Sequence, residues 1–314
     1  MADLPGPTLL GIAAVERDTG IGKDTLRVWE RRYGFPAPLR DATGERVYPV
    51  EQVQRLRLLK RLLDAGHRPG RVVPLQSGLA EPSPGALAQL LPLAPELTRI
   101  LDLLRSHDVE GLRRALSQAL LRMGLGPFVL ELIAPLTTQV GVFWMRGELE
   151  VFEEHIYTES LQQVLRHALQ ATPPLDVAER PRVLLTTLPG EQHGLGLLMA
   201  EALLTLEGCQ CLSLGVQTPQ EELARAAAAH RADIVALSFS GFLPVGVVQR
   251  GLASVRLSLP PSTELWAGGG GAELRPRSQK LAGLYCVSAL TDVAAQVARW
   301  RRAQASRVNV IVQA

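Results

Sequence analysis

The sequence predicts a multidomain α plus α/β protein with a winged-helix head, a four-helix bundle and a doubly wound parallel sheet, in that order. Three observations carry this prediction. Residues 8–72 combine helical periodicity with dense charge. Residues 96–170 repeat apolar side chains at intervals of three and four, the spacing of one helix face. Residues 181–306 alternate strand-like and helix-like runs, which specifies a parallel sheet covered on both faces.

In the head, Ile12-Ala13-Ala14-Val15 and the turn Thr19-Gly20-Ile21-Gly22 precede a basic helix, Lys23 to Tyr33. Leu26, Trp29 and Tyr33 form its inward stripe, while Lys23, Arg27 and Arg31 point elsewhere. A second helix of this kind suits the DNA major groove. Leu39 to Tyr48 reads as a polar hairpin with Gly44 near its tip, a wing able to reach the phosphate backbone. Glu51 to Ala65 reads as a third helix with Val53, Leu56, Leu59, Leu62 and Leu63 inward. Residues 1–75 hold 13 Lys/Arg against 9 Asp/Glu, whereas the whole chain carries only +2. A charge run alone is usually a solvated helix face. The order helix, turn, helix, wing favours DNA.

Pro74, Pro82, Pro84, Pro92 and Pro95 mark a linker, giving a head over 1–75, a linker over 76–95 and a bundle over 96–174. Four stripes define the bundle: Leu97/Ile100/Leu101/Leu104, Leu112/Leu116/Leu120, Val129/Leu132/Ile133/Leu136 and Leu161/Val164/Leu165/Leu169. The sheet domain occupies 175–314. Its strand candidates are Arg182–Leu188, Gln210–Leu214, Ile234–Phe239, Glu264–Ala267 and Leu284–Val287, with the clearest helices at Gln220–Ala229 and Asp292–Gln304.

His193 is the most informative residue, because it follows the first of these strands and precedes a helix-like stretch, Leu197 to Leu206. A loop at the carboxyl end of a strand is where open sheets meet ligands. Glu191 can accept a hydrogen bond from one ring nitrogen and leave the other for a metal. Cys209 and Cys211 read as core thiols, since two do not make a zinc site. His67, His107, His167 and His230 read as solvated helix residues.

Composition narrows the function classes. The 46% hydrophobic and 20% charged residues describe a soluble globular chain. No unbroken run of 18 apolar residues suggests a membrane span, and the N-terminus lacks a signal-peptide pattern. Three cysteines are too few for a disulfide framework. A cytoplasmic protein is expected.

The string Thr25-Leu26-Arg27-Val28-Trp29-Glu30-Arg31-Arg32-Tyr33 closely resembles the winged-helix domain of MerR-type transcription regulators. The resemblance implies that Thr25, Arg27, Arg46 and Tyr48 contact phosphates of operator DNA. It places Lys23 and Asp24 nearest the base edges, with Arg31 on the same helix. In the sheet domain, Glu191-x-His193-x-x-Gly196 is followed 42 positions after Gly196 by Ser238-Phe239-Ser240, then by Gly268-Gly269. These elements resemble the cobalamin-binding domain of corrinoid proteins. The implied roles are cobalt's lower axial ligand for His193, its hydrogen-bond partner for Glu191, and a slot for the displaced nucleotide tail at Ser238, Gly268 and Gly269, with Gly196 and Ser240 in the same motifs.

In the bundle, Trp144 followed after nine residues by Glu154-His155 resembles the helical cap of the CarH/LitR family of cobalamin-dependent MerR-type light sensors. That resemblance implies adenosylcobalamin as chromophore, with Trp144, Val151, Glu154 and His155 at its upper face. Val151, Glu154 and His155 also share one helix face by spacing. A light-responsive repressor that is a tetramer in the dark, and not an enzyme, is implied. The light-sensing members carry a histidine directly after the cap tryptophan, where this chain has Met145. A thioether is a soft, weak ligand, so a light-independent cobalamin sensor stands as the alternative. A corrinoid carrier of a methyltransferase would share His193 but not the winged head. A metal-sensing MerR regulator would carry a cysteine pair after the third helix, absent here.

Overall fold

The computed structural model describes residues 9–41, 43–64, 69, 73, 95–146, 148–172, 181–240, 243, 245–269 and 281–312. His67, Gly270, Gly271 and most of the expected linker lie outside them. By compactness the chain forms two units: Met1–Asp108 with Thr137–Tyr157, and Val109–Leu136 with Thr158–Ala314. The helical block is therefore shared between them.

In the first unit, β1 (Leu9–Gly11), α1 (Ile12–Thr19), α2 (Lys23–Tyr33), β2 (Leu39–Arg40), β3 (Arg46–Pro49) and α3 (Val50–Asp64) build the head. Its antiparallel sheet has the order β1-β3-β2, so β3 is central. The inward stripe of α2 is as the spacing requires: Leu26 is wholly buried and Trp29 nearly so, among Val15, Ile21, Phe35, Tyr48, Val53, Leu56 and Leu59. The wing tip is organised by Asp41, whose Oδ1 accepts hydrogen bonds from Thr43 N at 2.9 Å, Thr43 Oγ1 at 2.7 Å and Glu45 N at 2.9 Å. These bonds, that from the Thr43 hydroxyl above all, hold the Asp41 carboxyl below its ordinary pKa.

Helix α4 (Pro95–Arg105) and α5 (Val109–Met123) follow, and residues 125–146 form a helical rod, α6. The rod is π-helical over Phe128–Ile133, bracketed by Pro127 and Pro135, which remove backbone donors from the ordinary ladder. The stretch Leu125–Trp144 is long and apolar enough to cross a membrane by length and composition, although polar residues interrupt it. Its stripe Phe128, Val129, Leu132, Ile133, Leu136 and Val140 is buried in protein, as in the core helix of a bundle. Helix α7 (Val151–Ala171) begins with Glu153 accepting a hydrogen bond from Glu150 N at 2.6 Å. His107 is exposed as expected, but it does not lie in a helix. It sits in the α4–α5 turn with φ 58°, 3.0 Å from Glu153 through Nε2 and against the Phe152 ring.

The second unit contains a five-stranded sheet of β4 (Arg182–Thr186), β5 (Gln210–Ser213), β6 (Ile234–Phe239), β7 (Glu264–Gly269) and β8 (Leu284–Val287). Every pairing is parallel and the order is β5-β4-β6-β7-β8. Connecting helices are α8 (Leu195–Leu206), α9 (Gln220–Ala229) and α10 (Val245–Ser258), and α11 (Val293–Val312) closes the chain. Because β5 and β6 flank β4 on opposite sides, their connections diverge there and leave a crevice at the carboxyl ends of β4 and β6. At the other end of the sheet, Glu264 accepts a hydrogen bond from Trp266 Nε1 at 2.8 Å and a forked pair from Arg299, whose guanidinium stacks 3.7 Å from the Tyr285 ring centroid. Arg299→Ala strands this nearly buried carboxylate. We expect it to cost about 2–3 kcal/mol, less than breaking a fully buried pair because Arg299 is partly solvated and Trp266 keeps its hydrogen bond, read as a lowered urea midpoint.

Candidate functional site

The crevice at the end of β4 and β6 holds the residues of the His193 motif. Glu191 is 1% exposed, whereas His193 stands about half in solvent. Glu191 Oε1 lies 2.7 Å from His193 Nδ1 and accepts the His193 backbone N–H at 3.1 Å. From the end of β6, Ser240 N donates to Glu191 Oε2 at 2.9 Å, and the Ser240 hydroxyl lies 2.9 and 2.8 Å from the two carboxylate oxygens. The same hydroxyl is 3.0 Å from His193 Nδ1. Burial alone would raise the Glu191 pKa. The hydrogen bonds from His193 and Ser240 outweigh it and hold the carboxyl below its ordinary value. An anionic Glu191 favours the proton on Nδ1, the tautomer in which Nε2 carries the lone pair that a metal would require.

Ser240 is the member whose role the sequence did not reveal. Its motif suggested contact with a cofactor tail, but its hydroxyl is bound to Glu191 and to the imidazole. Ser238 is in register with Gly268 across β6–β7, and a Cβ on Gly196 would stand 3.1 Å from its Oγ. Gly269, expected just after the strand, ends it instead with φ +107°, where a Cβ would meet Phe239 O at 1.9 Å. The small residues of three segments thus leave a strip of accessible backbone beside the histidine.

Among the described residues no cluster of three or more His, Cys, Asp or Glu can hold a metal ion. A metal arriving inside a macrocycle needs only one protein donor, and His193 with its buried carboxylate fits that demand. The strip between Gly196, Ser238 and Gly268 fits a flat or extended appendage. Burial pushes the Cys209 thiol up to about 12 and raises that of Cys211 as well, which agrees with packed, protonated sulfurs.

The upper set lies in the first unit. Trp144, at the end of α6, is partly buried against the hydrophobic cluster of the head. On α7, Glu154 Oε2 is 2.8 Å from His155 Nδ1, His155 being the more exposed. Met145 belongs to the α6 backbone.

The DNA set is divided. Asp24, Thr25, Arg27 and Arg31 are exposed on α2, and Lys23 is half-buried. Lys23 pairs with Glu16 at 3.3 Å, Arg27 with Asp24 at 3.1 Å and Arg46 with Glu30 at 3.0 Å. A phosphate binding Arg46 has to compete with Glu30. Tyr48 corrects the expectation of a phosphate contact. It is fully buried in the head core, and its hydroxyl meets no protein hydrogen-bond partner. Its ring packs on the face of β3 that the head's helices cover, in one cluster with Val15, Leu26, Trp29 and Leu56.

Three family models match in chain order: the MerR HTH family regulatory protein over residues 10–77 and B12 binding domains over 96–169 and 181–298. The HTH-type transcriptional repressor CarH of Myxococcus xanthus is 31% identical over 260 residues, which is 81% of this chain and 86% of the relative. The repressor CarA of the same organism is 33% identical over 237 residues, 73% of this chain and 76% of the relative. Among solved structures, the Methanosarcina barkeri monomethylamine corrinoid protein matches 63% of this chain and 94% of its own, with 17% identity and a TM-score of 0.49. A likeness that distant adds nothing to the assignment.

Proposed function

The chain belongs to the family of cobalamin-binding, MerR-type transcription regulators that includes CarH and CarA, and from that premise we propose that it is a repressor using adenosylcobalamin as a light-sensing chromophore. The observation that carries the reading is the imidazole of His193, held by a buried carboxylate at the sheet's crevice, on one chain with a winged head. His193 Nε2 would hold the cobalt, while Glu191, held by Ser240, fixes the tautomer and the ring plane. Gly196, Ser238, Gly268 and Gly269 receive the nucleotide tail. Trp144, Val151, Glu154 and His155 are assigned to the upper ligand. A bound adenosylcobalamin supplies a visible chromophore and a cobalt–carbon bond that light cleaves.

Thr25, Arg27 and Arg46 serve phosphates, while Lys23, Asp24 and Arg31 serve the groove. Affinity for operator DNA then falls with salt by about 0.9 log unit per phosphate neutralised. Trp144 packs against the head's hydrophobic cluster, so a change at this tryptophan reaches the DNA-reading end directly. Assembly into a dark tetramer raises the effective concentration of each head after the first has bound. Driving such an equilibrium from 1:99 to 99:1 takes about 5.5 kcal/mol of differential binding.

Met145, where light-sensing members carry a histidine, favours a second reading, a cobalamin sensor indifferent to light. Visible spectra, gel filtration and operator binding of the adenosylcobalamin-loaded protein, before and after green illumination, separate the two. The photoreceptor reading expects a changed spectrum, a smaller species and weaker operator binding. Cofactor-dependent operator binding that illumination leaves unaltered supports the second reading and defeats the first.

A further inference from the structure

The loop after β5, residues 214–219, carries an outward-facing valine in a backbone that the fold restrains at many points. Leu214 N donates to Leu185 O at 2.9 Å and Thr218 N to Thr187 O at 3.1 Å. The Thr187 hydroxyl accepts from Gln217 N at 2.8 Å and donates to Glu191 O at 2.7 Å, tying this loop to the one that bears His193. Gly190 N donates to Gln217 Oε1 at 3.2 Å. The Thr186 hydroxyl lies 2.9 Å from Gly215 O and 2.7 Å from Thr218 Oγ1. Within this lacing Gly215 and Gln217 have φ values of 77° and 61°. A left-handed conformation at a non-glycine residue is uncommon and persists where its surroundings over-determine it, most often at ligand clamps.

Between these two residues stands Val216, 40% exposed despite its apolar side chain. Its Cγ1 would lie 3.2 Å from a Cβ on Gly194, the residue after His193. The isopropyl group therefore stands against the residue that follows His193 on its loop. We infer that Val216 is a positioning residue for the corrin: an apolar rest beside His193 that meets the methyl-bearing edge of the macrocycle and fixes its tilt on the imidazole. The inference rests on the reading of His193 as the cobalt ligand. Loss of one methyl contact with the ring, together with the cost of burying the hydroxyl that replaces it, is the expected effect, which is why a change of about tenfold in affinity is forecast.

The test uses the full-length protein and hydroxocobalamin for affinity. Cob(II)alamin gives the coordination signature, the splitting of cobalt electron-paramagnetic lines by histidine nitrogen, which changes from triplets to doublets when histidine carries the heavy isotope. Val216→Thr keeps the shape and removes apolar contact, and Val216→Ile restores it. We expect the threonine variant to bind about tenfold more weakly with a reduced histidine-split fraction, its melting temperature unchanged, and the isoleucine variant to recover both. Wild-type affinity and signature in Val216→Thr overturn the inference. So does equal loss in both variants with a lowered melting temperature, which marks a purely structural residue. His193→Ala is the separate control. If it keeps a histidine-split signature, the cobalt-ligand reading fails and this inference with it; if it loses the signature while Val216→Thr is silent, only this inference fails.

Discussion

Alanine in place of His193 is expected to weaken hydroxocobalamin binding by about a hundredfold or more and to abolish the histidine-derived coordination signature. Two losses add. Cobalt loses its protein donor, and the buried Glu191 carboxylate loses the imidazole 2.7 Å away. Only Ser240 and the backbone N–H of residue 193 then face a charge that is 1% exposed, and a buried charge with fewer partners is costly. Glu191→Gln is the milder companion. It keeps the shape but donates where it must accept, so the imidazole loses its anionic anchor. Outer partners of metal ligands typically contribute 10–100-fold, and about tenfold weaker binding with a diminished signature is expected. Equal affinity and an identical signature in His193→Ala, measured by spectral titration, would end the cobalamin reading of this crevice.

Much of this site was legible because it depends on local order in the chain. The run Ile234–Phe239 is apolar but for Ser238, as suits a strand covered on both faces, and it occupies the limits expected for it. Gln220–Ala229 follows Pro219 and is rich in alanine, and it too has the expected ends. The Glu191–His193 contact spans two residues and needed only a turn. Ser240 reaches Glu191 across 49 positions, a partnership set by which strands lie side by side and by no local pattern. Position 48 misled for a similar reason. Arg46 and Tyr48 are two apart on one strand, as a wing contacting phosphate would have them, but β3 lies between β1 and β2. The tyrosine ring packs against the helices of the head, contacts that the strand's own sequence does not specify. Strand β1 has three residues and exists through its pairing with β3, so nothing in its own sequence announced it. The loop around Val216 was hidden as well, since its importance lies in hydrogen bonds to the ends of a neighbouring strand.

The glycines of β7 allow folding and cofactor binding to be separated. In Gly269→Ala, the new methyl group would stand 1.9 Å from Phe239 O, at a φ of +107° that side chains rarely adopt. Relief by a flexible side chain is impossible, because the obstacle is backbone and Phe239 is paired in register with Gly269 itself. Either β7 parts from β6 at its end or the strand shifts. We expect a loss of about 4 kcal/mol or more, the size reserved for backbone clashes and comparable core faults, seen as a large fall in the denaturation midpoint with cobalamin binding lost as a consequence. Gly268→Ala differs in one respect that matters. Its Cβ would lie 3.4 Å from Val287 O and 3.8 Å from Val287 Cβ, ordinary contact distances. That variant should fold with nearly wild-type stability, yet place a methyl group on the strip facing Ser238. A stable Gly268→Ala protein that binds cobalamin at least about tenfold more weakly assigns the strip to the nucleotide tail. Undiminished binding by that variant would move the tail elsewhere and leave Gly268 as part of the strand alone.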